Sequence, residues 1–189
     1  MKPKDYLLIA LVPLALLLIP LTGQLTVDGW NWTWHDFVFA WVVFATTTFF
    51  YRLLATRRVA NLAYKAAAAL AVLTGFLVFW ISAAVQIIGD ENPANVLYLA
   101  VILTGLIGTG VARFQPAGMA RAAFATAGVT FLIPVVALLF WPADFSPGVA
   151  KVFLLNGGFV LLFTASGLLF RHAAGQAGSN HAMTTPAQS

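Results

Sequence analysis

Long apolar runs separated by short polar breaks set the pattern of this chain. A membrane-crossing helix needs about 17–25 mostly apolar residues, and six runs meet that length. They predict spans at about 6–22, 34–54, 60–88, 93–112, 119–141 and 147–170. The polar breaks read as helix ends. Gly89-Asp-Glu-Asn-Pro-Ala-Asn95 is the sharpest of them: Gly89 suits a left-handed helix stop, Asn92 a cap, and Pro93 a first turn. Only Asp90, Glu91 and Asn92 then separate spans three and four, which predicts antiparallel neighbours.

Other breaks carry their own signals. Thr33-Trp-His-Asp36 reads as a capping box in which Asp36 reaches back to the Thr33 amide. Pro13 lies inside the first span and is expected to kink it, with Pro20 near its exit. Ser146-Pro147 is a cap-and-proline start for the sixth span, and Pro142 helps stop the fifth. Residues 173–189 are small and polar with no hydrophobic period, and are expected to form a disordered tail.

Composition turns these spans into a class. The chain is 61% hydrophobic and 8% charged, whereas a soluble domain carries about a quarter charged residues. The expected fold is an all-α integral membrane protein, a single bundle over residues 1–172 with no soluble domain. Met1-Lys-Pro-Lys4 and the run after it resemble a signal peptide, but no small-x-small cleavage site follows, so the run is taken as an uncleaved first span. The absence of Cys removes disulfides, thiol nucleophiles and Cys-bound metals.

Charge adds orientation. Lys2, Lys4, Arg52, Arg57, Arg58, Lys65, Arg113, Arg121 and Arg171 fall on one side of the six-span arrangement, and of the 10 basic residues only Lys151 falls on the other. Asp28, Asp36, Asp90, Glu91 and Asp144 lie with Lys151. The positive-inside rule then places both termini in the cytoplasm. The basic residues sit at helix ends, so Arg52, Arg57, Arg58, Lys65, Arg113 and Arg121 are read as contacts to lipid phosphate or to a partner protein, not to nucleic acid. Trp30, Trp32, Trp34 and Trp141 fall at the opposite ends, where an indole can bury its ring and keep its N–H wet.

Small residues predict where helices meet, because lipid tails are as apolar as Leu and only close approach favours association. Stripes occur at Ala100, Thr104, Gly108 and Ala112, at Ala67, Ala71 and Gly75, and at Ala122, Thr126 and Thr130. With the short loops around Asp90 and Phe114, they predict a three-helix unit with the fourth span in the middle. Asn156-Gly-Gly158 offers a further close-contact site, and such stripes equally suit a homo-oligomer. Ala-Asn-x-x-Tyr occurs at residues 60–64 and 94–98, heading helices of opposite direction; three identities in five positions are no more than chance supplies.

Candidate chemistry is sparse. No charged residue falls at the centre of a span, where pumps and ion-coupled carriers place one. Most buried Thr and Ser can bond to their own helix. Gln86, Asn95, Tyr98 and Asn156 remain as a polar lining, with Asn95 and Tyr98 expected to face His35. His35, Asp36, Asp90 and Glu91 form an outer-face cluster able in principle to bind a divalent cation or relay a proton. Capping, the positive end of span four and topology already account for those acids. No catalytic residue, cofactor or phosphate-binding glycine loop is expected.

Gly89-Asp-Glu-Asn-Pro-Ala-Asn-Val-Leu-Tyr98, Ala112-Arg-Phe-Gln-Pro-Ala-Gly-Met-Ala-Arg-Ala122 and Leu155-Asn-Gly-Gly-Phe159, with Asn31-Trp-Thr33, Asp36-Phe37 and Asn61-Leu-Ala-Tyr64, resemble a family of uncharacterised small bacterial inner-membrane proteins with several transmembrane helices. The resemblance extends over about residues 6–172 and departs at Tyr51-Arg52, where an acidic residue often follows the Tyr. It implies the fold and a multi-pass place in the bacterial inner membrane, and carries no activity over.

Three functions stay open. The first is a non-catalytic accessory, assembly or interaction component acting through helix packing, with membrane lipid and either a second copy or another membrane protein as partner. The second is a channel or carrier for a small neutral solute, lined by Thr46, Thr47, Thr48, Gln86 and Asn156. The third is an outer-face metal- or proton-binding sensor or enzyme.

Overall fold

The computed structural model describes residues 1–57, 60–89, 92–142 and 148–184. Its helices are α1 (Pro3–Leu16), α2 (Leu18–Thr26), α3 (Trp34–Ala55), α4 (Leu62–Val85), a 3₁₀ turn at Pro93–Leu97, α5 (Tyr98–Val111), α6 (Pro116–Phe140) and α7 (Val149–Thr184). No strand occurs among the described residues. Six stretches are long and apolar enough to cross a membrane: Pro3–Thr26, Trp34–Ala55, Leu62–Val85, Pro93–Val111, Pro116–Phe140 and Val149–Ala177. They correspond one to one with the six predicted spans.

Burial runs opposite to that of a water-soluble protein. The interior is rich in small and hydroxyl residues, among them Ala67, Ala68, Ala127, Thr74, Thr130 and Ser166. Large side chains face outward: Ile107, Leu139, Leu154 and Leu161 are 63%, 72%, 79% and 70% exposed. This is the arrangement expected when lipid is the solvent and backbones must approach closely. The chain divides into two compact units, Met1–Thr56 and Arg57–Ser189.

In the first unit, α1 packs against α3. Helix α1 runs through Pro13, and the helical run is interrupted at Leu17. Pro20 has no N–H to give the Leu16 carbonyl, which weakens the turn before it. The capping half of the Thr33 motif forms as expected: the Asp36 carboxylate accepts the Thr33 amide at 2.7 Å and its hydroxyl at 2.8 Å. The connection before it folds back on α2, with the Trp32 amide bonded to the Gln24 side chain at 3.0 Å. Trp30 covers Gly23 so closely that a Cβ there would meet its ring at 3.0 Å. Its Nε1 is buried and has no acceptor among the described residues, so Trp30 departs from the wet-indole pattern.

In the second unit, α6 packs against α5 and α7, and α7 against α4, while α4 and α5 share a much slighter contact. The predicted three-helix unit centred on the fourth span is therefore replaced by the order α5, α6, α7, α4. Glycine contacts show why. A Cβ at Gly108 would lie 2.7 Å from the Ala122 Cβ, and one at Gly167 2.7 Å from the Phe124 ring. Helix α6 thus receives α5 on one side and α7 on the other. At Gly75, Gly157 and Gly158 an added Cβ would meet nothing within 4 Å, so those sites are not close contacts within this unit.

Two helix ends also differ from expectation. Helix α4 stops at Gln86, which takes the left-handed conformation (φ 48°) predicted for Gly89. Stopping there turns Ile87 and Ile88 into the core, where they are 4% and 0% exposed. Helix α7 continues past Phe170 to Thr184 over residues expected to be disordered. The Asn61 amide anchors that extension, donating to the Ala173 carbonyl at 3.3 Å and the Gln176 side chain at 2.9 Å. Residues 185–189 and the predicted Ser146-Pro147 start lie outside the described residues.

Candidate functional site

Polar side chains of the second unit gather in two groups at two levels along α7. Asn156 and Phe170 mark these levels, about 21 Å apart by helical rise.

The first group is built from the Asn92–Tyr98 stretch. Asn92 caps the 3₁₀ turn by accepting the Ala94 amide at 2.8 Å, as its place before Pro93 predicts. Asn95 closes the loop: its carbonyl accepts the Ile88 amide at 3.1 Å, and its amino group donates to the Gly89 and Asn92 carbonyls at 2.8 and 3.1 Å. One turn on, the Tyr98 hydroxyl lies 3.0 Å from the Asn156 Oδ1 and 2.8 Å from its Nδ2. Asn156 also donates to the Val152 carbonyl at 2.9 Å. Tyr98 and Asn156 are 2% and 1% exposed, so this pair joins α5 to α7 in a dry interior. Asn95 and Tyr98 thus find hydrogen-bond partners within their own unit. Asn92 Nδ2 is buried and unpartnered among the described residues.

The second group surrounds Tyr64. Asn61 caps α4 by accepting the Tyr64 amide at 2.8 Å. The Tyr64 ring meets Phe170 edge-on at 5.0 Å, and its hydroxyl donates to the Phe114 carbonyl at 3.0 Å. The Arg57 guanidinium lies 3.7 Å over the Phe114 ring. Phe114 and Arg113 both have positive φ, 64° and 48°, in the turn between α5 and α6. Gly118 lets this turn close, since a Cβ there would lie 2.9 Å from the Ala112 Cα. Deeper in the unit, Ser166 donates to the Ala67 carbonyl at 2.9 Å, tying α7 to α4.

Gln86 is exposed at the end of α4, whereas Asn156 is buried. Thr47 and Thr48 donate to the Val43 and Phe44 carbonyls of their own helix. His35 is exposed and stacked on Trp34 at 3.5 Å, while Asp36 is engaged by Thr33. Asp90, Glu91 and Arg58 lie outside the described residues. Among the described residues no group of three or more His, Cys, Asp or Glu could hold a metal. Lys65, Arg113 and Arg121 are exposed. Arg52 forms an ion pair with the buried Asp5.

A cavity of about 170 Å³ opens between α4 and α5, lined chiefly by Phe79, Ala83, Val96, Leu99 and Ile102. Tyr98, Asn95 and Ser82 reach it, but the hydroxyl of Tyr98 and the amide of Asn95 are taken by the bonds described above. An apolar wall whose phenol and amide are engaged can hold a hydrocarbon segment; it offers no chain of free donors and acceptors to a polar solute.

Asp5 carries an ion pair that the sequence pattern does not predict. Its capping role is legible: an acid three residues after Lys2, behind Pro3, has capping spacing, and its carboxylate accepts the Lys2 amide at 2.6 Å. Comparison of the chain with protein-family models, with curated proteins and with solved structures finds no match.

Proposed function

We propose that this chain is a non-catalytic, multi-pass protein of the bacterial inner membrane that serves as an accessory, assembly or interaction component through helix packing. The supporting observation is the adjacent pair Gly157-Gly158 inside α7, where no atom of another helix in the second unit approaches within 4 Å of an added Cβ. Two glycines within a helix cost about 1 kcal/mol each against Ala. In lipid, small residues favour association by letting another backbone approach. The placement of nine of the 10 basic residues on one side of the spans supports cytoplasmic termini. The carrier alternative needs Asn156 and Tyr98 open to a wet path, and both are engaged by each other.

The test is purification in mild detergent with stoichiometry measured by light scattering. A homo-oligomer or a one-to-one membrane partner is expected, and Gly157→Leu with Gly158→Leu should dissociate it while leaving helix content unchanged. Wild-type protein that purifies as a lone monomer from native membranes would sink the proposal.

A further inference from the structure

The end of the second unit that holds Tyr64 carries cations from three stretches of chain, 57–65, 113–121 and the one around Arg171. Arg57 reaches it over the Phe114 ring, and Arg113 adjoins that ring in the same turn. Lys65 follows Tyr64, whose hydroxyl is bonded to the Phe114 carbonyl, and Arg171 follows Phe170, whose ring packs on Tyr64. Arg121 lies one turn and a half into α6, which begins at Pro116 beside this turn. Lys65, Arg113, Arg121 and Arg171 are exposed. The three acidic residues of 57–189, Asp90, Glu91 and Asp144, belong to the connections at the other ends of these helices. No carboxylate of the described residues forms an ion pair with Lys65, Arg113, Arg121 or Arg171.

Simple orientation of the chain needs positive charge near the helix ends, but it does not need the segments that carry it joined by tertiary contacts. Here Tyr64 and Arg57 both contact Phe114, and Lys65, Arg113, Arg121 and Arg171 lie one to seven residues along the chain from Tyr64, Phe114 or Phe170. A membrane-spanning unit places such an end at the headgroup level, where phosphate is the abundant anion and Arg can bond it with two parallel N–H groups.

We propose that this Tyr64–Phe114 end of the second unit is a docking surface for anionic phospholipid headgroups, with Arg57, Arg113 and Arg121 as its principal phosphate contacts. The inference rests on the membrane-spanning helices and not on the partner-binding proposal above: stoichiometry tests that proposal, lipid selectivity tests this one.

The full chain, delipidated in neutral detergent, would be titrated with dioleoyl phosphatidylglycerol or dioleoyl phosphatidylcholine and its bound lipid counted by native mass spectrometry. Tighter retention of phosphatidylglycerol is expected. Each of Arg57→Gln, Arg113→Gln and Arg121→Gln should lower that preference about fivefold, whereas Lys151→Gln, at the other end, should leave it unchanged. The single variants of the exposed Arg113 and Arg121 keep the test decisive if Arg57→Gln disturbs the turn. Equal retention of the two lipids, or a preference that survives Arg113→Gln and Arg121→Gln, overturns the proposal. So does capture of a polyglutamate peptide without any lipid preference, which would assign the surface to an acidic protein.

Discussion

The carboxylate of Asp5 is bonded to the guanidinium of Arg52, 47 residues away, and ties the first turn of α1 to the last turn of α3. Their side chains are 2% and 24% exposed, so the charge pair is largely withdrawn from solvent. Asp5 also accepts the Lys2 amide, which fixes the carboxylate against its own backbone. Arg52 Nε is buried and has no acceptor among the described residues, so the interaction is carried by Nη2 alone.

Removing either partner leaves the other charge buried and uncompensated, which is costlier than losing the pair together. Asp5→Asn or Arg52→Gln should therefore each lower the thermal midpoint in detergent more than Asp36→Asn, whose bonds stay within its own helix turn. The combination Asp5→Asn with Arg52→Gln should lose less than the sum of the two single changes. Strict additivity of the midpoints would show that the residues act independently.

The Tyr98–Asn156 pair is open to a similar cycle. Tyr98→Phe removes the hydroxyl that lies against the Asn156 amide, leaving Asn156 only the Val152 carbonyl. Interhelical polar pairs in membranes couple by about 0.6 kcal/mol, up to about 1.7. A cycle of Tyr98→Phe and Asn156→Leu, followed by denaturant unfolding in micelles, should give a coupling near the upper part of that range because both groups are fully buried. A coupling of zero would mean that the short distances carry no net energy. Liposome solute flux in the Asn156→Leu protein should also equal wild type, since the pair faces its partner helix and not a water path.

Glycine substitutions should separate close contacts from bare faces by sign. Gly108→Ala places a Cβ 2.7 Å from that of Ala122, and the Ala122 Cα lies at 3.3 Å, so the α5 backbone must move. Overpacking of this kind costs about 1–3 kcal/mol. Gly157→Ala meets nothing and should gain up to about 1 kcal/mol from helix propensity in the monomer. Unfolding monitored by circular dichroism would check both. Stabilisation by Gly108→Ala would contradict the close crossing of α5 and α6.

The string Arg113-Phe-Gln-Pro-Ala-Gly-Met-Ala-Arg121 shows how much a local pattern can and cannot say. Its proline marks the start of α6 from sequence alone, because Pro suits a first helical turn wherever it occurs. That Phe114 would take a left-handed conformation under Arg57 and accept the Tyr64 hydroxyl depends on α4, some 50 residues earlier. The two Asn-x-x-Tyr stretches are a parallel case. Their likeness is no more than chance as a string, and the two Asn act differently: Asn61 caps α4, whereas Asn95 closes the loop before α5. Each Tyr nevertheless fastens its helix to α7 through its ring or hydroxyl.

The number of spanning helices, their approximate ends and most of their caps are legible in the order of residues. They follow from local quantities: apolar length against bilayer thickness, the missing proline donor, and Asn, Asp or Thr at helix starts. Which helices are neighbours, where Asp5 and Arg52 meet, and that Gln86 rather than Gly89 ends α4 are settled only when the chain folds. The physical reason is that apolar residues carry no preference between a neighbouring helix and lipid. Neighbours are chosen by close approach at a few glycines and by polar groups that find partners only in the folded chain, and a one-dimensional pattern contains neither.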